Sequence, residues 1–559
     1  MIITTTAGQR RRLLPVAAAL AAGSLVLSAC GGAADGDADA EVDMEEVGVG
    51  AMEDYDVGDT FVATEPVEFS LLYRDHPNYP LRNDWSFFEH LEEDHNVTLS
   101  AENAPLSDWE ERRSLVIGAG DAPDFIPVVY PGDETQFISG GALLPVSDYL
   151  EHMPNFTQKV EDWGLEEDID SLYQDDGKFY ILPGLHESPQ DQYSVAVRWD
   201  IWEELGYDEP ETWDEFAEQL RGVKEAYPDM VPFSDRWQMD ATLSFAAPNF
   251  GTQAGWGYSG AYWDEDAEEF TYTAAQDEYR DLLEYFHGLV DDGLMDSESL
   301  VQDDDQAIQK FASGQSAAIG GNDQEILSYR TSIEEVGEDD MEVRLIRVPA
   351  GPAGDIAPGG QTESGLVLSS SVAEQENFVA LLQFIDWLYY SDEGLEFAKW
   401  GVEGETFERE GDERVLADSI DIHGLNPEGD EELSADYGFH NGVFMPAHGS
   451  TTDLVQSMLR DEVVEFRESM ADKERTPVVP ATPLDELERE QVSLTETALN
   501  DTVSTATAQF ILGQRDLEDW DAFVSELEGQ GMADYIDKHN EAYERAQQEI
   551  DGVEADMDQ

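Results

Sequence analysis

Apolar positions along this chain recur with two periods, one suited to strands and one to helices. "VEFSLLY" (67–73) alternates as a strand does, and "DWSFFEHLEED" (84–94) sets Phe87, Phe88 and Leu91 on one helical stripe. "SDWEERRSLVIGAG" opens with Ser107 and Glu110 spaced as a capping box and ends in helix-stopping glycines. "DFIPVVY" (124–130) is the next strand, and Pro127 predicts an edge position or a strand end. A strand follows at 193–199, then a helix begun by the Thr212/Glu215 capping box, with Phe216, Leu220 and Val223 inside. "AIQKFASGQSAAIGG" (307–321) reads as helix, turn and buried strand, and "VRLIRVPAGPAG" and "GLVLSS" bring two more strands. "NFVALLQFIDWLYYSDEGLEFAKW" carries a core stripe of Phe378, Leu381, Leu382, Ile385 and Tyr389. The end is helical: Asp516 caps, Trp520, Phe523, Val524 and Leu527 pack, and Gly529 stops. This is an α/β rhythm, and 559 residues exceed one core, so two or more lobes are expected.

The first 64 residues do not share the rhythm. Arg10 to Arg12 precede an uncharged apolar run, Leu13 to Ala29, which ends in small residues before Cys30. That order is a secretory signal; as a membrane span it is at the short limit for ~30 Å of hydrocarbon, and Pro15 and Gly23 weaken it. Leu27-Ser28-Ala29-Cys30 resembles the lipobox of bacterial lipoproteins, which implies cleavage after residue 29 and lipidation of Cys30, the sole cysteine. Residues 31–64 are acidic, rich in Gly and Ala and free of Lys and Arg, so 30–64 is expected to be a flexible tether.

Charge narrows the partners. With 125 acidic against 29 basic residues the net is -96, a surface that repels nucleic acid. The acids are spread along the whole chain, so they suit a solvated surface in high salt, and a single Asp or Glu says little about catalysis. There is no Gly-rich phosphate loop, HExxH, GxSxG or paired-cysteine metal motif, and the ten histidines show no ligand spacing. No cofactor or metal is expected. The aromatic stretch 233–263 is more informative, because Trp237, Trp256, Tyr258, Tyr262 and Trp263 stand among Gly, Ser, Asn and Asp rather than aliphatics. Such rings stack on the apolar faces of sugars. Pockets in α/β sheets form at the carboxyl ends of strands, which singles out Tyr73, Arg74, Tyr130, Asn322 and Asp323.

These segments resemble the extracellular solute-binding proteins of family 1, lipoprotein receptors of bacterial ABC importers. The resemblance rests on "GAGDAPDFI" (118–126), "DGKFYILPG" (176–184), "VRWDIWEELGYDEPETWDEF" (197–216) and "FASGQSAAI" (311–319). "GVEGETF" (401–407) and "WDAFVSELEGQGMADYIDKHNEAYER" (520–545) point to its larger, oligosaccharide-binding branch. It implies a two-lobed periplasmic-binding-protein-like (class II) fold with a hinge between lobes. The expected division is 1–29 signal peptide, 30–64 tether, 65–190 with 361–440 as one lobe, and 191–360 with 441–559 as the other. It implies a non-catalytic, monomeric receptor, anchored through Cys30 on the outer face of the cell membrane, that passes an oligosaccharide to an ABC permease. The expected ligand-binding residues are Arg74, Tyr130, Trp237, Trp256, Asn322, Asp323, Trp400 and Glu403. A receptor for a peptide or other non-sugar solute, and a secreted polysaccharide-degrading enzyme, are the alternatives. Some members hold calcium in an Asp/Asn-rich loop after the T-x-D-E-F helix; here that loop is cut to "KEAYPDMVPF" (224–233), and no calcium is expected there.

A net charge of -96 generates a first prediction. Molar salt shortens the Debye length to roughly 3 Å and screens the self-repulsion. Thermal unfolding followed by circular dichroism should give a melting temperature that climbs steadily from 0.1 M to 2 M KCl. A melting temperature that stays flat over that range would refute the repulsion argument.

Overall fold

The computed structural model describes residues 47–557 except 338–340, 412 and 446–448. The expected signal, lipobox and Cys30 lie outside the described residues, and none of the described helices is long and apolar enough to cross a membrane.

Strands β1 (Val67–Asp75), β2 (Val97–Pro105), β3 (Phe125–Val129) and β4 (Ile181–Leu185) come first along the chain. Next are β5 (Tyr193–Arg198), β6 (Ala318–Asn322) and β7 (Val343–Leu345), and then β8 (Thr362–Leu368). The first sheet has the order β2-β1-β3-β8-β4, with β1 parallel to β2 and β3, and β8 antiparallel to both its neighbours. The second has the order β6-β5-β7, antiparallel throughout. So β8 returns, after the whole second sheet, to the middle of the first.

Pro127 is therefore not at an edge. β3 lies between β1 and β8, and the register shifts at Gly365/Leu366, opposite a Val128 with φ of 59°. Pro127 keeps its register with Leu366 while the bulge leaves Val128 unpaired beside it, and a bulge is where a strand inside a sheet tolerates proline. The Ser107 capping box also fails: Ser107 lies in a 3-10 turn and its hydroxyl donates to Asp108. Thr212 does cap its helix, accepting from the Glu215 N–H at 3.1 Å.

Helices cover both sheets. Against the first sheet lie α1 (Ser86–His95), and, after α2 (Asp323–Val336) of the other lobe, α3 (Phe378–Tyr390) and α4 (Asp392–Trp400). Every residue of α3 is buried, because it packs on several elements at once. The C-terminal helices join the second core, where Leu499, Val503 and Phe510 meet Leu282, Phe286 and Phe523.

The tether expectation fails over residues 47–64, the part of 30–64 that lies within the described residues. Residues 47–64 pack on the first lobe: Phe61 and Ala63 are buried, and the Tyr55 hydroxyl and Asn155 amide both donate to Asp386 of α3. The low complexity of 31–64 hid these few apolar anchors. The boundary at 440/441 moves as well. Phe444 stacks on Phe87 at 4.2 Å, Asn441 donates to the Tyr73 hydroxyl and Trp400 donates to Ser457, so the chain stays with the first lobe to about that point.

Phe61→Ala should lower stability by about 3–5 kcal/mol, the usual cost of emptying a buried phenylalanine site. Urea titration reads it, and a loss under about 0.5 kcal/mol would restore the tether.

Candidate functional site

Three stretches of chain pass between the two sheets, and they are bonded to one another. The first follows β4, and the second precedes β8. Gln361 in the second accepts from the His186 N–H at 2.8 Å, and its amide donates to the carbonyls of His186 and Glu187. The third reaches the first through Thr452, whose N–H donates to the Glu187 carboxylate and whose hydroxyl bonds Ser188. Arg475 grips Asp191 with both nitrogens at 3.0 and 2.9 Å. Above these crossings lie two adjoining chambers of about 150 and 130 Å³, with Gln190 and Gln192 lining both.

The wall from the second lobe is aromatic. Tyr193, Trp237 and Trp256 form a mutual cluster with ring centroids 5.2 to 5.8 Å apart. Trp256 is half-exposed and Trp237 partly so. Their backbone is held against its preference. Trp237, Gln238 and Met239 all have positive φ (52°, 55° and 71°), each a strain of about 1–3 kcal/mol. Arg236 pins this turn from beneath: buried, it pairs with Asp304 and Glu325 and lies 4.1 Å from the Trp237 ring. Asp304 also accepts from the Trp237 N–H. Buried Asp235 accepts from the N–H groups of Arg236 and Gly320, and burial pushes its carboxyl up to about 6. Trp256 depends on Gly255, which has φ of 57° and where a Cβ would stand 1.9 Å from the Asp240 carbonyl.

The facing wall is polar. Tyr130, half-exposed, has its hydroxyl raised by burial and by Glu363, while Arg74 pulls it down. Tyr193 on the opposite lobe is raised by burial, opposed by a hydrogen bond with Asn322, and feels both Glu363 and Tyr130. Those interactions bring the two walls together. The larger chamber is lined by His186 and Lys399 from the first lobe, and by Asn322, Asp323, Arg460 and Arg467. Lys399 is 1% exposed; among the described residues its ammonium has one polar contact, the Met445 sulfur at 3.7 Å, and burial lowers its pKa to about 7.

Of the eight expected residues, the structure gathers six. Arg74, Tyr130, Trp237 and Trp256 flank the cleft, and Asn322 and Asp323 line it, though Asn322 spends its carbonyl capping α2 and Asp323 is paired with Arg460. Two are corrected. Trp400 is wholly buried beside Phe407, because it ends α4 on the face toward the core. Glu403 points to solvent and pairs with Arg409. Tyr258 and Trp263 also turn inward, onto Tyr272 and Tyr543. The sequence reading missed Tyr193, His186, Lys399 and Arg467. Lys399 left one trace: it lies four residues after Leu395, on a buried helical face where lysine is unusual. Among the described residues no group of three or more His, Cys, Asp or Glu side chains is arranged to hold a metal.

The family model of bacterial extracellular solute-binding proteins matches residues 80–394. The chain belongs to this family. The solute-binding protein is 21% identical, over 81% of its length and 86% of the relative's, to the polygalacturonan/rhamnogalacturonan-binding protein YtcQ of Bacillus subtilis. It is 23% identical, over 83% and 88%, to the fructooligosaccharide ABC transporter substrate-binding protein FusA of Streptococcus pneumoniae. Its fold superposes with a TM-score of 0.66, at 18% identity and over 86% and 99% of the chains, on an HMO-binding ABC-transporter-associated solute-binding protein of Bifidobacterium longum infantis.

Lys399 yields the prediction for this site. A folded pKa of about 7 leaves the unfolded chain holding more protons up to about pH 10, so wild-type stability climbs across that window. Lys399→Met should therefore be more stable than wild type at pH 7, with an advantage that fades toward pH 10 by at most about 1.4 kcal/mol per pH unit. Parallel denaturant titrations that show a pH-independent advantage would refute it.

Proposed function

We propose that the chain is the substrate-binding component of an ABC importer, capturing an oligosaccharide in the interlobe cleft and delivering it to a permease. The observation that carries this is the Tyr193–Trp237–Trp256 cluster, steadied by a strained, arginine-pinned turn at the smaller chamber, beside a larger chamber of amide, carboxylate and guanidinium groups. Ring faces take the apolar side of a sugar, and the polar groups take its hydroxyls. Strain of this kind persists only where the surroundings enforce it, and here it presents a ring to the cleft.

The chambers are smaller than the ~300–1,000 Å³ of a typical ligand pocket. Oligosaccharide entry therefore requires the lobes to part about the three crossings, and capture is their closure. A wider groove of about 620 Å³ starts beside Tyr130 at Pro131 and Gly132 and is walled on its far side by Pro480, Arg489 and His539, room for a longer sugar chain. The family consists of binding proteins, and we extend that to this chain as a monomeric, non-catalytic receptor. Its anchor is Cys30, which as residue one of the mature chain holds the receptor outside the membrane; more than one acyl chain gives stable attachment.

A panel of oligosaccharides should raise the melting temperature of the wild type without turnover. Trp237→Ala should weaken the best binder about tenfold, as expected for one lost aromatic stack of about 1–1.5 kcal/mol. Calorimetry reads the loss and chromatography the turnover. Cleavage of the sugar would refute the receptor reading; stabilisation by peptides alone would replace the sugar with another solute.

A further inference from the structure

Every cation in so acidic a protein has an abundance of partners. There are about four acids per base in the sequence, and most of the described arginines and lysines lie within 4 Å of a carboxylate. Two that line the larger chamber do not. Among the described residues, the one polar contact of Lys399, from the first lobe, is the Met445 sulfur. Arg467, from the second, donates one nitrogen to the neutral Gln190 side chain at 2.7 Å, and its buried Nε has no partner. Among the described residues neither has a carboxylate within ion-pair distance. Asp323, which lines the same chamber, is engaged by Arg460, and the nearby acids that act on these two cations are engaged too: Glu363 by His186 at 3.0 Å, and Asp191 by Arg475.

An unpaired buried charge is costly, and replacing it with an apolar residue normally stabilises. A site that keeps one buried and one half-buried cation without a carboxylate, one from each lobe, is organised for a charge that arrives from outside. On this basis we propose that the ligand is an acidic oligosaccharide, one carboxylate of which is held between Lys399 and Arg467 when the lobes close. Arg467 presents a planar fork suited to the two carboxylate oxygens, and Lys399 a point charge. Lys399 is buried and Arg467 half-buried, which makes the pairing stronger than a surface ion pair. Because the two cations come from different lobes, the anion would also bridge the closed form. This rests on the sugar-receptor reading above and specifies its substrate class.

The test titrates the full chain by calorimetry at 0.15 M salt with trisaccharides of galacturonate, mannuronate and glucuronate. Each is paired with its carboxyl-reduced neutral twin, and a sulfated galactotriose is included. At least one uronate should bind ten-fold or more tighter than its twin. Lys399→Met and Arg467→Gln should each bring the uronate-to-twin affinity ratio below threefold, whatever each costs in affinity for the neutral twin. Neutral twins binding as well as the acids, or a preference intact in both variants, would overturn the acid assignment and leave the sugar receptor standing. Sulfated sugar binding in place of every uronate would overturn the carboxylate. Binding by no sugar, acidic or neutral, would overturn the receptor reading as well.

Discussion

The chain crosses between its two sheets three times, and Gln361 joins two of those crossings through both backbone and side chain. Everything in the cleft depends on this constraint. Three bonded strands of chain cannot slide past one another, yet they allow one sheet to rotate against the other. The crossing before β8 also explains the sheet order: a strand made after the second lobe must return to the interior of the first. Gly449 shows how tightly the third crossing passes, since a Cβ there would stand 2.5 Å from the Leu185 carbonyl. The chambers adjoin these crossings, since Gln190 and Gln192 line both of them.

The scarce cations set the local detail. In a chain of net -96 each arginine finds carboxylates readily, so an arginine's position says where the fold needs a clamp. Arg236 clamps the turn that presents Trp237, Arg475 clamps a crossing, and Arg460 holds the start of α2 against the third crossing. The acids, by contrast, are mostly interchangeable, and their individual positions carry little information. Buried Asp386 is an exception: it receives Tyr55, Asn155 and the Phe156 N–H, and so ties the N-terminal segment to the first core.

The periodic elements were legible because burial imposes a period on helices and strands. Phe216, Leu220 and Val223 are buried as their spacing requires. Features set by contacts distant in sequence were not legible. Pro127 sits in a central strand because of a bulge against β8, some 240 residues away, and Phe61 is core because Phe384 lies beside it. The candidate site divides the same way. Trp237 and Trp256 stand out from their polar neighbours, whereas Trp400 and Glu403, at the end of a helix and just beyond it, turn to core and solvent. Lys399 and Arg467 acquire meaning only when two lobes face each other, which no local pattern records.

An acidic ligand and a strongly acidic receptor appear opposed, and the resolution lies in distance. Repulsion from the outer carboxylates acts through solvent and decays over the Debye length, roughly 3 Å in molar salt. An ion pair inside a closed chamber is screened far less, because no salt enters between the partners. The same conditions that relieve the surface therefore leave the chamber's attraction intact. Specificity also follows: an anion not matched to both lobes meets the repulsive surface without the compensating pair, so the outer charge rejects acids that the cleft does not fit.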